Sequence, residues 1–598
     1  MKKTVKVLGS VLMGGILMAS SLLMAACGGK AKDSEDFLEI YCVDLGYGTA
    51  WVDAVAEKFF EQDWVQEKYP GANMEDNYLL QTSDRKDYGS TRLSNPQANT
   101  FDLMFDMWLQ AQLVPDGNVM ELTDAVYNAE VPGEGVTFKE KMKDDYVRMN
   151  QYLDAENPDS ERYFSMSWAD GMDSIIYNER LLNGFIAEHP ELGLEEGETP
   201  NTTDELLAIC EALRADWDAA NPGTYGWEEG GFAFYQSKDD TYITNLFNTW
   251  WAQYEGVDEY YNYWSGIPVG QSAADSSVFE SHTGRNETLE VMRSLLRYHG
   301  KQYEGSDWDG TPYSEKDAGN IGGYLDPNGW SEGFKQVQTK FLNGTSLEEG
   351  GWLFHANGDW FTAEMKDMLS RIGDSANDFK TMRVPVISAL GEKYGISDEM
   401  LSAMVDHADD TSVEVPQSLI DAEFPGGTNA LGFTFDQVLA AVAEARGVVH
   451  SIGGVHNGLI PANATAKDMA VDFLLFMASD IAQAAYAEAT DGSFLPFEYN
   501  IKEKDPELYN SFSDMQKSKI DYFYPDEDVL YTINTLPMEN QFPLYYYGSV
   551  NVFYRQDWYT ILRANETKDT PALYYQETID YWTQGTRFQN ALKLAGLS

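Results

Sequence analysis

The sequence predicts an α/β fold with mostly parallel sheets, because strand, loop and helix patterns follow one another repeatedly. Residues 38–42 alternate Leu, Ile and Cys with Glu and Tyr, which is the period of a strand. The loop at 44–49 leads into a helix with one apolar face. The side chains on that face are Val52, Val55, Ala56, Phe59 and Phe60. The same order returns at 101–105 and at 175–182.

The size and composition of the chain indicate more than one hydrophobic core. Its 598 residues are 43% hydrophobic and 13% aromatic, which is too hydrophobic for a disordered chain and too long for one ordinary core. We therefore expect at least two lobes. The regions 300–327 and 391–427 are rich in Gly, Pro and acidic residues and read as surface insertions. Asp307 and Asp309 suggest calcium, but Thr311 and Pro312 break the spacing of an EF-hand, and no metal site is predicted.

The first 26 residues have the pattern of an export signal. Lys2, Lys3 and Lys6 precede an apolar run from 7 to 24, and small residues follow it just before Cys27. A permanent membrane helix is the weaker reading, because the run is short, contains glycines and lacks a basic stop-transfer flank. Residues 1–26 are thus expected to be removed, which places the mature protein outside the cytoplasm.

The segment 23–29, with the letters LMAACGG, resembles the bacterial lipobox. That resemblance implies that Cys27 receives lipid and becomes the new N-terminus, attached to the outer face of the cell membrane. Residues 27–36 are small, polar and charged, and we expect a tether there. Cys42 and Cys210, the other cysteines, lie in apolar patterns and read as small buried hydrophobes instead of a disulfide.

The charge of the chain excludes nucleic acid as a partner. The formal net charge is −56, and loss of residues 1–26 would remove three lysines and no acids. Such a surface would also be repelled by anionic headgroups, so attachment to the bilayer is expected to come from acyl chains on Cys27.

Six segments between 101 and 496 form an ordered series. They are 101–104 with 118–124, 174–182, 203–206, 341–344 with 358–360, 451–454 with 462–476, and 492–496. In this order they resemble the motifs of the extracellular solute-binding proteins of carbohydrate ABC importers, the family typified by maltose-binding protein. Two departures are the greater length of this chain and Thr203, where the family pattern has tryptophan. Residues after about 501 are not covered.

The resemblance implies a two-lobe periplasmic-binding-protein-like fold, with a ligand cleft between lobes joined by hinge strands. The expected first lobe comprises 37–165 with 448–490, and the second comprises 166–447 with 491–598, including a C-terminal extension. Physical reasoning gives the same place for a site, because open parallel sheets bind ligands beyond the carboxyl ends of their strands.

The candidate site residues are pairs of an aromatic ring with an acid or amide near those strand ends. An aromatic ring stacks on the C–H face of a sugar, and a carboxylate or amide bonds two of its hydroxyls. The candidates are Asp44, Tyr47, Trp51, Asp106, Trp108, Trp168, Asp170, Trp227, Glu228, Trp250, Trp251, Asp359, Trp360 and Asn457. The competing explanation for these aromatic residues is core packing, because most of the 15 tryptophans and 36 tyrosines must lie in hydrophobic cores. His456 is more readily explained as structural than as a ligand contact.

The expected function is that of a receptor that captures a sugar or oligosaccharide and delivers it to the permease of an ABC importer. We expect a monomer with no cofactor and no enzymatic activity. One alternative is a secreted lipoprotein glycosidase, because two carboxylates in an aromatic cleft need no short motif. A second alternative keeps the receptor and changes the cargo to a peptide, a polyol or another small solute.

Overall fold

The computed structural model describes residues 34–594, with gaps at 86–87, 96–98, 108–112, 153–159, 223–229, 238–241, 297–323, 327, 330–331, 348–350, 527, 537–575 and 577–578. The expected signal, Cys27 and the Asp307 region lie outside the described residues, as does most of the tether.

Five strands form the first sheet, in the order β2-β1-β3-β9-β4. Their bounds are β1 Leu38–Val43, β2 Tyr78–Ser83, β3 Leu103–Met107, β4 Met166–Ser167 and β9 His456–Leu459. β1 runs parallel to β2 and β3, so that Ile40 lies opposite both Leu80 and Leu103. All of β1 is buried, including Glu39 and Tyr41, because the strand is central and both of its faces are covered.

Three strands form the second sheet, in the order β6-β5-β7. Their bounds are β5 Asp173–Asn178, β6 Phe354–Gly358 and β7 Phe379–Met382. β8 Val448–His450 pairs in parallel with β10 Asn534–Leu536 as a separate two-stranded ribbon. The first and second sheets each have a large hydrophobic core, so the predicted α/β fold with two lobes is confirmed.

The expectation of mostly parallel sheets is wrong. β4 leads through residues 168–172 directly into β5, and β8 leads through 451–455 directly into β9. β9 is antiparallel to β3 and β4, and β5 is antiparallel to β6 and β7. A strand that enters a sheet from the other lobe starts where the neighbouring strands end, and it therefore runs against them. Each sheet contains one such strand.

Helices cover the first sheet from segments that are far apart in the chain. The helices before β5 are α1 Ala50–Phe60, α2 Asp63–Lys68, α3 Met74–Asn77, α4 Tyr88–Leu93, α5 Phe138–Lys141 and α6 Asp144–Asn150. The predicted apolar face of α1 is confirmed, since all five of its side chains are buried. That face packs against later helices, α20 Lys467–Met477 and α21 Asp480–Ala489.

The second sheet carries most of the remaining helices. They are α7 Glu179–Glu188, α8 Thr203–Ala220, α9 Tyr242–Glu255, α10 Val257–Trp264, α11 Val278–Ser281, α12 Gly284–Leu296, α13 Phe334–Asn343, α14 Phe361–Glu364, α15 Lys366–Ile372, α16 Ala389–Tyr394, α17 Asp398–Asp409, α18 Gln417–Glu423 and α19 Phe435–Gly447. After α21 the chain forms α22 Ile501–Lys504, α23 Pro506–Ser511, α24 Asp514–Phe523 and α25 Arg587–Leu594.

Local capping signals set several helix ends. Thr202 with Glu205 and Thr434 with Gln437 form the capping boxes that their spacing predicts, one before α8 and one before α19. The apolar positions from Ala466 to Ile481 have the spacing of one continuous helix, but the chain forms two helices there, α20 and α21. Ser479 accepts the N–H of Ala482 and caps a new helix, which turns the axis by 80°.

Within the described residues, three chain crossings connect the two lobes. The first crossing is 168–172, the second is 451–455, and the third is 493–497. Ile452 donates its N–H to the carbonyl of Gly171 at 2.8 Å, and Asp170 donates to Phe494 at 3.0 Å. Gly171 has φ of +63°, and a Cβ there would lie 2.6 Å from the nitrogen of Gly453. The first two crossings can touch because both positions are glycine.

No single helix among the described residues has the length and hydropathy of a membrane span. The pair α20 and α21 has them when taken together, but the two helices are bent by 80° at their junction. In the same part of the chain, no group of three or more His, Cys, Asp or Glu side chains is arranged to hold a metal ion.

Candidate functional site

The junction between the two sheets is where loops after three strands meet. β1 is followed by the loop of Tyr47, β4 by Trp168, and β6 by Asp359 and Trp360. We call the following residues the junction cluster: Tyr47, Trp51, Trp168, Asp359, Trp360, His456 and Tyr486. Each has 3% or less of its surface exposed. Trp360 follows a strand of the second sheet, yet its ring packs in the core of the first.

The ring of Tyr47 is at the centre of the junction cluster. Its centroid lies 5.9 Å from that of Trp168, 6.4 Å from Trp360 and 5.6 Å from His456, each in an edge-to-face arrangement. Trp51 stacks on Trp168 at 5.3 Å. Burial lowers the pKa of His456 to about 4, and its bond with the carbonyl of Ile452 offsets only part of that effect. The imidazole is therefore neutral at pH 7.

A hydrogen bond from Tyr47 to Asp359 links the loops of the two lobes. The hydroxyl donates to Oδ1 of Asp359 at 2.7 Å. Burial raises the pKa of Asp359, and the cation of Lys519 offsets only part of the rise. Burial also raises the pKa of Tyr47 well above its usual value, so the phenol stays protonated and remains the donor.

Lys519, on α24, fixes the backbone of Asp359. Its Nζ donates to the carbonyl of Asp359 at 3.0 Å, to Oγ1 of Thr362 at 2.6 Å and to Oγ of Ser493 at 3.1 Å. These bonds use all three donors of the ammonium group. Burial lowers the pKa of Lys519, against the attraction of Asp359. The region after 501, which the family resemblance did not cover, thus supports the site.

Two further buried carboxylates lie on the first crossing and at its end. Lys143, directly before α6, donates to Oδ2 of Asp170 at 2.7 Å. Burial raises the pKa of Asp170, and Lys143 counteracts that rise. Asp173 bonds Nδ1 of His450 at 2.6 Å and accepts from Asn245 at 2.8 Å. Both carboxylates tie the crossing to neighbouring elements, although Oδ1 of Asp170 has no hydrogen-bond partner among the described residues.

Several polar atoms of the junction cluster have no hydrogen-bond partner among the described residues. They are Oδ2 of Asp359, Nε1 of Trp51, Nε1 of Trp360 and the hydroxyl of Tyr486. A buried polar atom without a partner costs about 1–3 kcal/mol, and other parts of the interior also contain such atoms, Nε1 of Trp217 among them. One acceptor, two donors and one hydroxyl match the bonding capacity of a polyhydroxylated solute.

Six predicted site residues come together at the junction: Tyr47, Trp51, Trp168, Asp170, Asp359 and Trp360. Asp106 and Asn457 lie opposite each other in β3 and β9, next to the cluster. The carboxylate of Asp106 accepts the N–H of Met107 and packs against Gly89, and only its carbonyl bonds Trp168. Asp44 ends the first strand but is exposed.

The sequence predicts Trp250 and Trp251 at the ligand site, but the structure does not bring them to the junction. Both lie on α9 in the core of the second lobe, where Nε1 of Trp250 donates to the carbonyl of Pro385. The first turn of α9 does reach the junction, since Tyr242 lies 5.1 Å from Trp360, but two further turns carry the pair away. Trp108, Trp227 and Glu228 lie outside the described residues.

Sequence reasoning missed several residues that hold the site. Lys143 directly precedes α6 and Lys519 lies on α24, and no short-range pattern distinguishes either of them from the other lysines nearby. His456 was judged structural, and it does pack edge-on against Trp168 within the cluster. The position of Tyr486 is easier to explain, because it lies on the side of α21 that packs against α1 and Trp51.

No protein-family model matches the chain, and no curated protein matches it. Among solved structures, a chitin oligosaccharide binding protein is 12% identical, with 93% of this chain and 100% of that chain covered and a TM-score of 0.49. The cyclic alpha-maltosyl-1,6-maltose binding protein from Arthrobacter globiformis is 13% identical, with 94% and 99% covered and a TM-score of 0.47. MalX from Streptococcus pneumoniae is 14% identical, with 91% and 99% covered and a TM-score of 0.44. The likeness is distant, and the fold rests on the strands and helices given above.

Proposed function

We propose that this protein is an extracytoplasmic receptor that captures a sugar or oligosaccharide between its lobes for an ABC importer. The observation that carries the proposal is the junction cluster, in which aromatic rings surround the buried carboxylate of Asp359. One oxygen of that carboxylate has no partner among the described residues. Rings next to a fixed carboxylate are the chemistry by which proteins bind sugars.

Access to this cluster requires the lobes to separate. Tyr47, Trp168 and Trp360 are at most 3% exposed, so a solute cannot reach them in the arrangement described. The three crossings are short segments between two cores and can act as a hinge. The ligand then enters the open form and is enclosed when the lobes close.

The cellular setting of the proposal comes from the sequence. The export signal at 1–26 and the lipobox-like segment support a mature N-terminus at Cys27 with attached lipid, held at the outer face of the membrane. This anchor would keep a strongly acidic, monomeric receptor near its permease. We also propose that the lobe boundaries lie at the crossings 168–172, 451–455 and 493–497, which places β8 in the second lobe.

A thermal-shift screen of the mature protein against mono- and oligosaccharides tests the proposal. Ligand binding to the folded state raises the melting temperature by mass action. At a ligand concentration one hundred times Kd, the free energy of unfolding increases by about 2.7 kcal/mol. The screen should include polyols, peptides and amino acids. A shift confined to those solutes would move the cargo away from sugars, and no shift with any solute would contradict the receptor.

Matched tryptophan variants locate the binding. Trp168→Phe, in the junction cluster, should reduce or abolish the shift given by a positive sugar. Trp250→Phe, in the core of the second lobe, should keep the shift although its own melting temperature falls. Chromatography of the recovered sugar separates a receptor from a glycosidase, because a receptor returns it intact and turnover would contradict the proposal.

A further inference from the structure

Tyr47 occupies one oxygen of the carboxylate that the proposed function assigns to the ligand. The bond from its hydroxyl to Oδ1 of Asp359 is 2.7 Å long and joins the loop after β1 to the loop after β6. These loops belong to different lobes. The bond therefore breaks when the lobes separate, and any ligand hydroxyl aimed at Oδ1 must replace it.

The loop that carries Tyr47 is shaped to present this side chain. Gly46 and Gly48 flank it with φ of +58° and +68°, conformations that favour glycine. A Cβ on Gly46 would lie 3.5 Å from Cβ of Trp360, so the loop backbone rests on the opposite lobe. Four rings then hold the phenol: Trp168, Trp360, His456 and Tyr486.

The backbone and the carboxylate of Asp359 differ in how firmly they are held. Its N–H donates to the carbonyl of Met172 at 3.0 Å, and its carbonyl accepts from Lys519 and Ser493. The backbone is thus fixed to the first and third crossings. Its carboxylate, in contrast, has a single hydrogen-bond donor among the described residues, which is Tyr47. The side chain can change partner while the backbone stays in place.

Resting on the proposed function, we propose that Tyr47 is a latch and an internal competitor of the ligand. Its hydroxyl stabilises the closed arrangement through Asp359 and is displaced from that carboxylate when a sugar hydroxyl binds there. Tyr47 thus lowers the affinity for solutes that cannot replace its bond, and it acts as a specificity-determining residue.

The test uses Tyr47→Phe, with Tyr127→Phe as the matched control. The control also loses a buried phenol bond, from Tyr127 to the carbonyl of Ser165, but in the first core and away from the junction. Small-angle X-ray scattering of the mature protein without added solute should show a larger radius of gyration for Tyr47→Phe than for the wild type, and no change for Tyr127→Phe.

Calorimetric titration with a sugar identified in the screen supplies the second result. Tyr47→Phe should bind that sugar about tenfold more tightly than the wild type, because the ligand no longer competes with the phenol. Tyr127→Phe should bind with unchanged affinity. An unaltered radius of gyration in Tyr47→Phe overturns the latch, and equal or weaker binding overturns the competition. If no solute binds the wild type, the receptor proposal fails while the scattering result still decides the latch.

Discussion

Two clusters of tryptophan in this molecule contain the same residue type at the same burial and differ in how they are built. The junction cluster takes Trp51, Trp168 and Trp360 from segments that lie far apart in the chain and belong to both lobes. The core cluster takes Trp250, Trp251 and Trp264 from two consecutive helices, α9 and α10. All six rings are 2% exposed or less.

The difference lies in the polar groups among the rings. At the junction, Asp359 brings a buried carboxylate with one unbonded oxygen, and Lys519 fixes its backbone. In the core cluster the rings of Trp251, Tyr260, Tyr263 and Trp264 pack on one another, and their charged neighbours Glu255 and Arg285 come from helices instead of strand ends. Aromatic content and burial do not identify a binding site. We propose that a fixed carboxylate at converging strand ends does.

The largest effect is expected from truncating the core cluster. Trp251→Ala should lower the free energy of unfolding by about 4 kcal/mol, because it leaves a large cavity among packed rings. Chemical denaturation measures this loss. The affinity of the remaining folded protein for its ligand should be unchanged, and specific loss of binding in a folded Trp251→Ala protein would remove the contrast between the clusters.

Acid should lower the stability of both lobes, through His456 in the first and His355 in the second. It should change ligand affinity only through His456. Burial lowers the pKa of His456 and of His355 to about 4, from a usual value of 6.5. Each neutral imidazole therefore stabilises the fold fully above pH 6.5, and this stabilisation is lost as the pH falls towards 4, with about 2.5 kcal/mol of it gone at pH 4.5. Denaturation of His456→Gln and His355→Gln at pH 7 and 4.5 measures it.

Each histidine variant should be less sensitive to acid than the wild type. Only His456→Gln should also change how ligand affinity depends on pH, because His456 packs against Tyr47 and Trp168 at the junction. An identical effect of both variants on affinity would place His456 outside the site.

The smallest effect is expected from Tyr486→Phe. The hydroxyl of Tyr486 has no hydrogen-bond partner in the described part of the chain, so its removal breaks no bond. The free energy of unfolding should not fall and should rise by at most about 1 kcal/mol, because the substitution removes a buried hydroxyl that lacks a partner. Tyr261→Phe, which loses a bond to the carbonyl of Thr535, should cost about 1 kcal/mol. Urea denaturation compares the two, and a larger loss in Tyr486→Phe would contradict this assignment.

Much of the architecture follows from local sequence patterns. The strand at β1, the apolar face of α1 and both capping boxes depend on residues within a few positions of one another. Site residues directly after strands, such as Tyr47, Trp168 and Asp359, were also predictable, because chain order places them at sheet edges.

The remaining features depend on contacts between distant segments. Nothing near Lys519 indicates that it will bond a carbonyl 160 positions away. The antiparallel strands β5 and β9 arise from crossings between lobes, which helix and strand periods do not encode. Trp250 and Trp251 resembled site residues because a tryptophan pair near the sheet looks the same in sequence whether it faces a core or a cleft.

Calorimetric titration of Asp359→Asn and Asp326→Asn with a sugar from the screen tests the central claim most directly. Asp326 is a matched control, because it is also buried and also accepts a hydrogen bond from an aromatic side chain. Its donor is the indole N–H of Trp352, which lies away from the junction. We predict that Asp359→Asn weakens binding about 100-fold without loss of stability, because the amide replaces a carboxylate that burial disfavours. Asp326→Asn should bind as the wild type does. Equal affinities of Asp359→Asn and the wild type would contradict the assignment of this junction as the ligand site.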